Sequence, residues 1–132
     1  MKYNLFLDDV RNPIDCVYYM YTPIYTSVDW VIVRDYNSFI KIIKENGLPE
    51  IISFDHDLSD EHYDPKMYHE SYDELYDSFK EKTGYECAKW LVDYCIDNNE
   101  FLPKKILVHS MNPIGRRNIE SYFESYNKSL KL

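Results

Sequence analysis

Short apolar runs alternate along this chain with longer stretches of helical period. Residues 3–7, 29–33, 50–54 and 105–108 are mainly apolar and bounded by polar or turn-forming positions, the pattern of buried strands. A helix is predicted from about Ser38, with Phe39, Ile42 and Ile43 on one face and Gly47 as its stop. Thr83 with Glu86 three residues later forms a capping box. It opens a second helix reaching about Asn98, with Ala88, Leu91, Cys95 and Ile96 turned inward. A third helix spans about 113–127 and buries Ile119, Tyr122, Phe123 and Tyr126. Residues 12–28 hold Pro13 and Pro23 and no clean helical period, so they read as an irregular or hairpin-like crossover. Strands alternating with helices imply an α/β fold with a mostly parallel sheet of about four strands.

Residues 59–82 interrupt this alternation and read as an insertion into a single domain of residues 1–132. Tyr68, Tyr72, Leu75, Tyr76 and Phe79 fall there at helical spacing, consistent with a short helix laid on the body. The insertion carries eight acids against three bases, so five of the chain's eight net negative charges sit in it. An acidic chain is a poor partner for long nucleic acid bound non-specifically. No run approaches the roughly 20 apolar residues that span a bilayer. Asp8 and Asp9 interrupt the N-terminus too early for a secretory signal. Three cysteines without a C-x-x-C pair suit a reducing, cytoplasmic setting and read as packing.

Each strand-like run is followed by polar residues. Asp8-Asp9-Val10-Arg11 follow the first, Arg34 the second, Asp55-His56-Asp57 the third and His109-Ser110 the fourth. Ligands of open α/β sheets bind outside the carboxyl ends of the strands, so a parallel sheet would gather these residues in one pocket. Asp8, Asp9, Asp55 and Asp57 offer the hard oxygen donors that Mg²⁺ or Mn²⁺ requires. His56 and His109 are candidates for proton transfer, with Asp55 and Asp9 beside them. In Asn112-Pro113-Ile114-Gly115-Arg116-Arg117, Asn112 can cap the last helix and Pro113 suits its first position. That helix start, with Arg116 and Arg117, suits phosphate. Gly115 permits close approach, and Arg11 and Ser110 complete the phosphate-contacting set. Arg34 can equally pair with an acid.

The runs at residues 5–13 (LFLDDVRNP) and 54–58 (FDHDL), Thr83-Gly84 with Ala88-Lys89-Trp90-Leu91, and residues 108–118 (VHSMNPIGRRN) resemble the cyclic-phosphate-processing receiver-like domain family. The resemblance implies a receiver-like, flavodoxin-like fold and the handling of cyclic or terminal phosphates of nucleotides or RNA. Beside ordinary receivers, Asp8 and Asp9 look like the acidic metal pair and Asp55 like the phosphoacceptor. His109 or Ser110 stands where those domains carry Ser or Thr. Their lysine after a fifth strand has no counterpart, since only residues 129–132 follow the last helix. The expected activity is therefore metal-assisted, phosphoesterase-like hydrolysis of a 2′,3′- or 3′,5′-cyclic or terminal phosphate on a nucleotide or RNA end. The alternatives are a non-catalytic module binding a cyclic nucleotide or RNA terminus, and a degenerate receiver in signalling.

Overall fold

The structure is a computed structural model that describes residues 2–58 and 82–130. Four strands, β1 (Asn4–Leu7), β2 (Val31–Val33), β3 (Ile51–Phe54) and β4 (Lys105–Val108), form one sheet in the order β2-β1-β3-β4. Every neighbouring pair is parallel. Leu7 is level with both Val33 and Phe54, and Phe54 with Val108. The strands therefore end together, and the residues after them share one edge. This is the parallel α/β arrangement expected from the pattern, and the receiver-like fold that the resemblance implies.

Strands two residues apart in side-chain direction give the sheet two unlike faces. Leu5, Leu7, Val33, Ile52, Phe54 and Val108 belong to the main core. Three helices supply the rest of that core: α3 (Tyr36–Asn46), α4 (Gly84–Asn98) and α5 (Pro113–Leu130). Phe39 and Ile43 come from α3, Leu91 and Cys95 from α4, Ile119 and Phe123 from α5. On α4 the inward stripe runs through Cys87, Ala88, Leu91, Val92 and Cys95. Ile96, expected inward, is 57% exposed, because the stripe at i, i+1, i+4, i+5 and i+8 leaves position i+9 on the flank. The caps explain the ends. Asp35 accepts from the Ser38 N–H at 2.8 Å, so α3 starts two residues before Ser38. Gly47 closes it at φ 82°, and Thr83 caps α4 through the Glu86 N–H.

The opposite face is covered by residues 12–28, which are helical and contain no hairpin. A 3-10 turn at Pro13–Cys16 leads into α1 (Val17–Met20), and α2 (Ile24–Ser27) follows. Pro13 and Pro23 begin two of these turns, where a missing N–H costs nothing. Tyr21, left-handed at φ 51°, breaks the chain between them. A second, smaller core joins Phe6 of β1 with Cys16 and Tyr25. All three cysteines are free and buried. The proposed insertion lies outside the described residues, apart from Lys82. No helix among the described residues is long and apolar enough to cross a membrane.

Candidate functional site

Asp8 leaves β1 on the face of Phe6. Its Oδ1 accepts the backbone N–H groups of Val10 and Arg11 at 2.9 and 2.7 Å. Its Oδ2 accepts from His109 Nε2 at 3.0 Å, with an Arg11 guanidinium nitrogen 3.6 Å away. Burial alone would raise the Asp8 pKa, but the His109, Arg11 and Val10 donors outweigh it and hold the carboxyl below its usual range. Asp8 is therefore a fixed carboxylate.

Asp55 and Asp9 are its opposites. Asp55 is 1% exposed. One oxygen accepts from the His56 N–H at 2.9 Å, and the other is buried with no partner among the described residues. Burial first, then the charges of Asp8 and Asp57, push the Asp55 pKa up to about 8. Asp9 is half-buried and likewise holds a partnerless oxygen. Burial and the Asp8 charge push it up to about 6. Oxygens of Asp8 and Asp55 and a ring nitrogen of His109 lie within 4.8 Å of one another. Crowded carboxylates with buried, partnerless oxygens are the donor set a hard divalent cation takes, so the residues present fit Mg²⁺ or Mn²⁺.

Asp57, also read as a metal donor, bonds to His56 and Asn112 as well as acting by its charge on Asp55 and Asp9. It accepts from His56 Nδ1 at 2.8 Å and from Asn112 Nδ2 at 3.3 Å on each oxygen. Asn112 Oδ1 in turn accepts the Gly115 N–H at 3.0 Å and caps α5. The close approach that Gly115 permits is that of His56: a Cβ there would stand 2.3 Å from the ring. Asp57, His56, Asn112 and Gly115 thus bind the end of β3 to the start of α5. Gly84 does the same for α4. Its N–H bonds His56 O at 2.8 Å, and a Cβ would meet the Asp55 carbonyl oxygen.

The expected phosphate contacts divide. In the first turn of α5, Pro113 has no N–H, Gly115 gives its own to Asn112 Oδ1, and Arg116 gives its own to Asn112 O. Ser110 is buried and accepts the Asn112 N–H at 3.1 Å. The arginine side chains therefore carry more of the phosphate reading than the helix end does. Arg11 lies beside Asp8 and over the Tyr19 ring. Arg116, half-buried, reaches Met20 sulfur at 3.9 Å and Glu120 at 3.5 Å, and Arg117 is exposed. Arg34 donates to the carbonyl oxygens of Asp8 and Arg11 and to Asn12 Oδ1, so it ties down the loop after β1.

Sequence reasoning missed Tyr19, Tyr25 and Ser53. Ser53 Oγ lies 2.6 Å from His109 Nδ1, and the Tyr25 hydroxyl 2.8 Å from Ser53 Oγ. Tyr19 donates to the His109 carbonyl at 2.7 Å. A serine inside the otherwise apolar run of β3 was the available signal. The tyrosines sit in a crossover with no period to read.

A family model described as the cyclic-phosphate processing receiver domain matches residues 3–125. The chain belongs to that family. No curated protein and no solved structure matches it. The family's name connects this receiver domain with cyclic-phosphate processing. Receiver domains bind Mg²⁺ through acidic residues, and Asp8, Asp55 and His109 form a cluster of acidic and imidazole groups here.

Proposed function

We propose that this receiver domain hydrolyses a cyclic or terminal phosphate on a nucleotide or RNA end with the help of a divalent cation. The observation that carries the reading is the gathering of one fixed carboxylate and two carboxyls raised by burial and crowding, with buried oxygens that lack a partner among the described residues, at the tips of β1 and β3. When bound, Mg²⁺ or Mn²⁺ supplies charge for a phosphoryl oxygen and for water. Asp8, Asp9 and Asp55 would hold it. Asp8 is already oriented by its N–H donors, so little is lost in arranging it.

Arg11, Arg116 and Arg117 supply the donors for phosphate oxygens as negative charge grows. Asp9, half-buried beside Asp8, serves with the cation bound as a further carboxylate of that set. His56 and His109 are both fully buried. His56 is joined to Asp57 and His109 to Asp8, so we give them support of the carboxylates as a first role.

Turnover of 2′,3′- and 3′,5′-cyclic nucleotides with Mg²⁺ or Mn²⁺ tests this. Asp8→Ala and Asp9→Ala are each expected to lower the rate by about a hundredfold or more. Equal rates in the three proteins would remove these assignments. Tight binding of the nucleotide by wild type without turnover would make the domain a binding module.

A further inference from the structure

The reading above uses only the first member of a buried chain of hydrogen bonds, Asp8–His109–Ser53–Tyr25. Its four side chains come from the end of β1, the end of β4, the middle of β3 and α2. His109 is 0% exposed, stacked on Phe6 with ring centroids 4.4 Å apart and planes 7° apart. Tyr25 meets the same ring edge-on. Neither surface offers the ring a hydrogen bond, so among the described residues its two nitrogens have Asp8 and Ser53 to bond.

The direction of each bond follows from its members. A carboxylate only accepts, so the hydrogen between Asp8 and His109 is on Nε2. The ring is wholly buried against Phe6 and Tyr25, where an imidazolium is disfavoured, so it is neutral and Nδ1 is bare. Nδ1 then accepts the Ser53 hydroxyl hydrogen, and Ser53 oxygen accepts from Tyr25. Tyr25, 2% exposed with its pKa pushed up to about 12 by burial, keeps its hydrogen and closes the chain away from water.

We propose that Tyr25 and Ser53 are positioning residues: they hold His109 as its Nε2–H tautomer, and His109 thereby holds the Asp8 carboxylate that faces the phosphate site. The role of Asp8 rests on the function proposed above; the tautomer does not. His109 is then a constant donor to Asp8 and not a proton carrier. Partners of this kind orient ligating carboxylates and imidazoles in many metal sites, and their loss costs about tenfold or more in metal affinity. The same chain links α2 to the site, beside the packing of Tyr25 on Phe6 and His109.

Nitrogen NMR of the full ¹⁵N-labelled chain reads the tautomer directly. In wild type, His109 is expected to show a protonated Nε2 and an unprotonated Nδ1. Ser53→Ala is expected to bring in the other tautomer and to weaken Mn²⁺ binding about tenfold. Tyr25→Phe, which leaves the Ser53–His109 bond in place, is expected to shift both readouts less and in the same sense. A protonated Nδ1 in wild type overturns the proposal. So does a Ser53→Ala protein that folds and keeps the wild-type tautomer and Mn²⁺ affinity. If Ser53→Ala does not fold, the wild-type spectrum and Tyr25→Phe decide, an unchanged Tyr25→Phe counting against it. A wild-type protein that takes up no Mn²⁺ and turns over no cyclic phosphate overturns the proposed function instead, while the nitrogen spectrum still decides the tautomer.

Discussion

Asp8, Asp9 and Asp55 are the same functional group in three conditions, separated by the donors each receives. Asp8 takes two backbone N–H groups and an imidazole; Asp55 takes one N–H and faces two other acids. The consequence for stability has a definite sign. The folded pKa of Asp55, about 8, lies above its unfolded value of 3.8, so its contribution is complete at low pH and is lost as pH rises through 8. His109, lowered from 6.5, acts in the opposite sense but only below its unfolded value. Between about pH 6.5 and about pH 8, Asp55 is the main titrating carboxyl among the described residues, Asp9 adding in the same sense at the lower end, and cation-free protein should lose on the order of 2 kcal/mol. Thermal melts at the two pH values check this: a falling midpoint is expected in wild type, flattened by millimolar Mg²⁺ and by Asp55→Asn. A flat wild-type profile would show that Asp55 is already ionised. The acids were legible in the sequence because each follows directly on an apolar run. Their differing conditions were not, since these depend on N–H groups and a histidine about a hundred residues away.

Among the elements, the two helices that begin at the site carry, in their first turns, glycines that touch it. Gly115 gives its missing side-chain volume to the His56 ring, and Gly84 gives its own to the Asp55 carbonyl. Neither helix can slide along its axis without striking the end of β3. Gly84→Ala should therefore cost about 3 kcal/mol, near the upper end for an overpacked contact, because the obstacle is backbone. Gly115→Ala meets a side chain and should cost less while moving His56. Chemical denaturation measures both, and two variants of wild-type stability would refute this account of the contacts. Helix α4 was readable because Thr83, Glu86 and the apolar stripe agree. The crossover was not, because its helical turns are four residues each and are held by Phe6, Trp30 and the site rather than by their own period.

At the scale of the whole fold, the described residues clothe the sheet unequally. Three long helices cover one face, while single turns joined by prolines cover the other. Topology was legible from the alternation of runs, since a parallel sheet follows from strands separated by helices. The inequality of the faces was not, because nothing in the crossover's composition shows how little helix it contains. The site lies on the thinly covered side: Asp8, Ser53 and His109 point where Phe6 points, toward Tyr19 and Tyr25. Helices this short do not persist alone in water. Their protection comes from the small cluster around Phe6 and from the hydroxyls of Tyr19 and Tyr25. Backbone amides of α1 and α2 should thus exchange with deuterium well before those of α3, α4 and α5, through an opening smaller than global unfolding. Equal protection on both faces would count against it. The bond network behind Asp8 would then be broken and remade many times in the life of a folded molecule, and how often the site is whole would be set by the weaker side of the sheet.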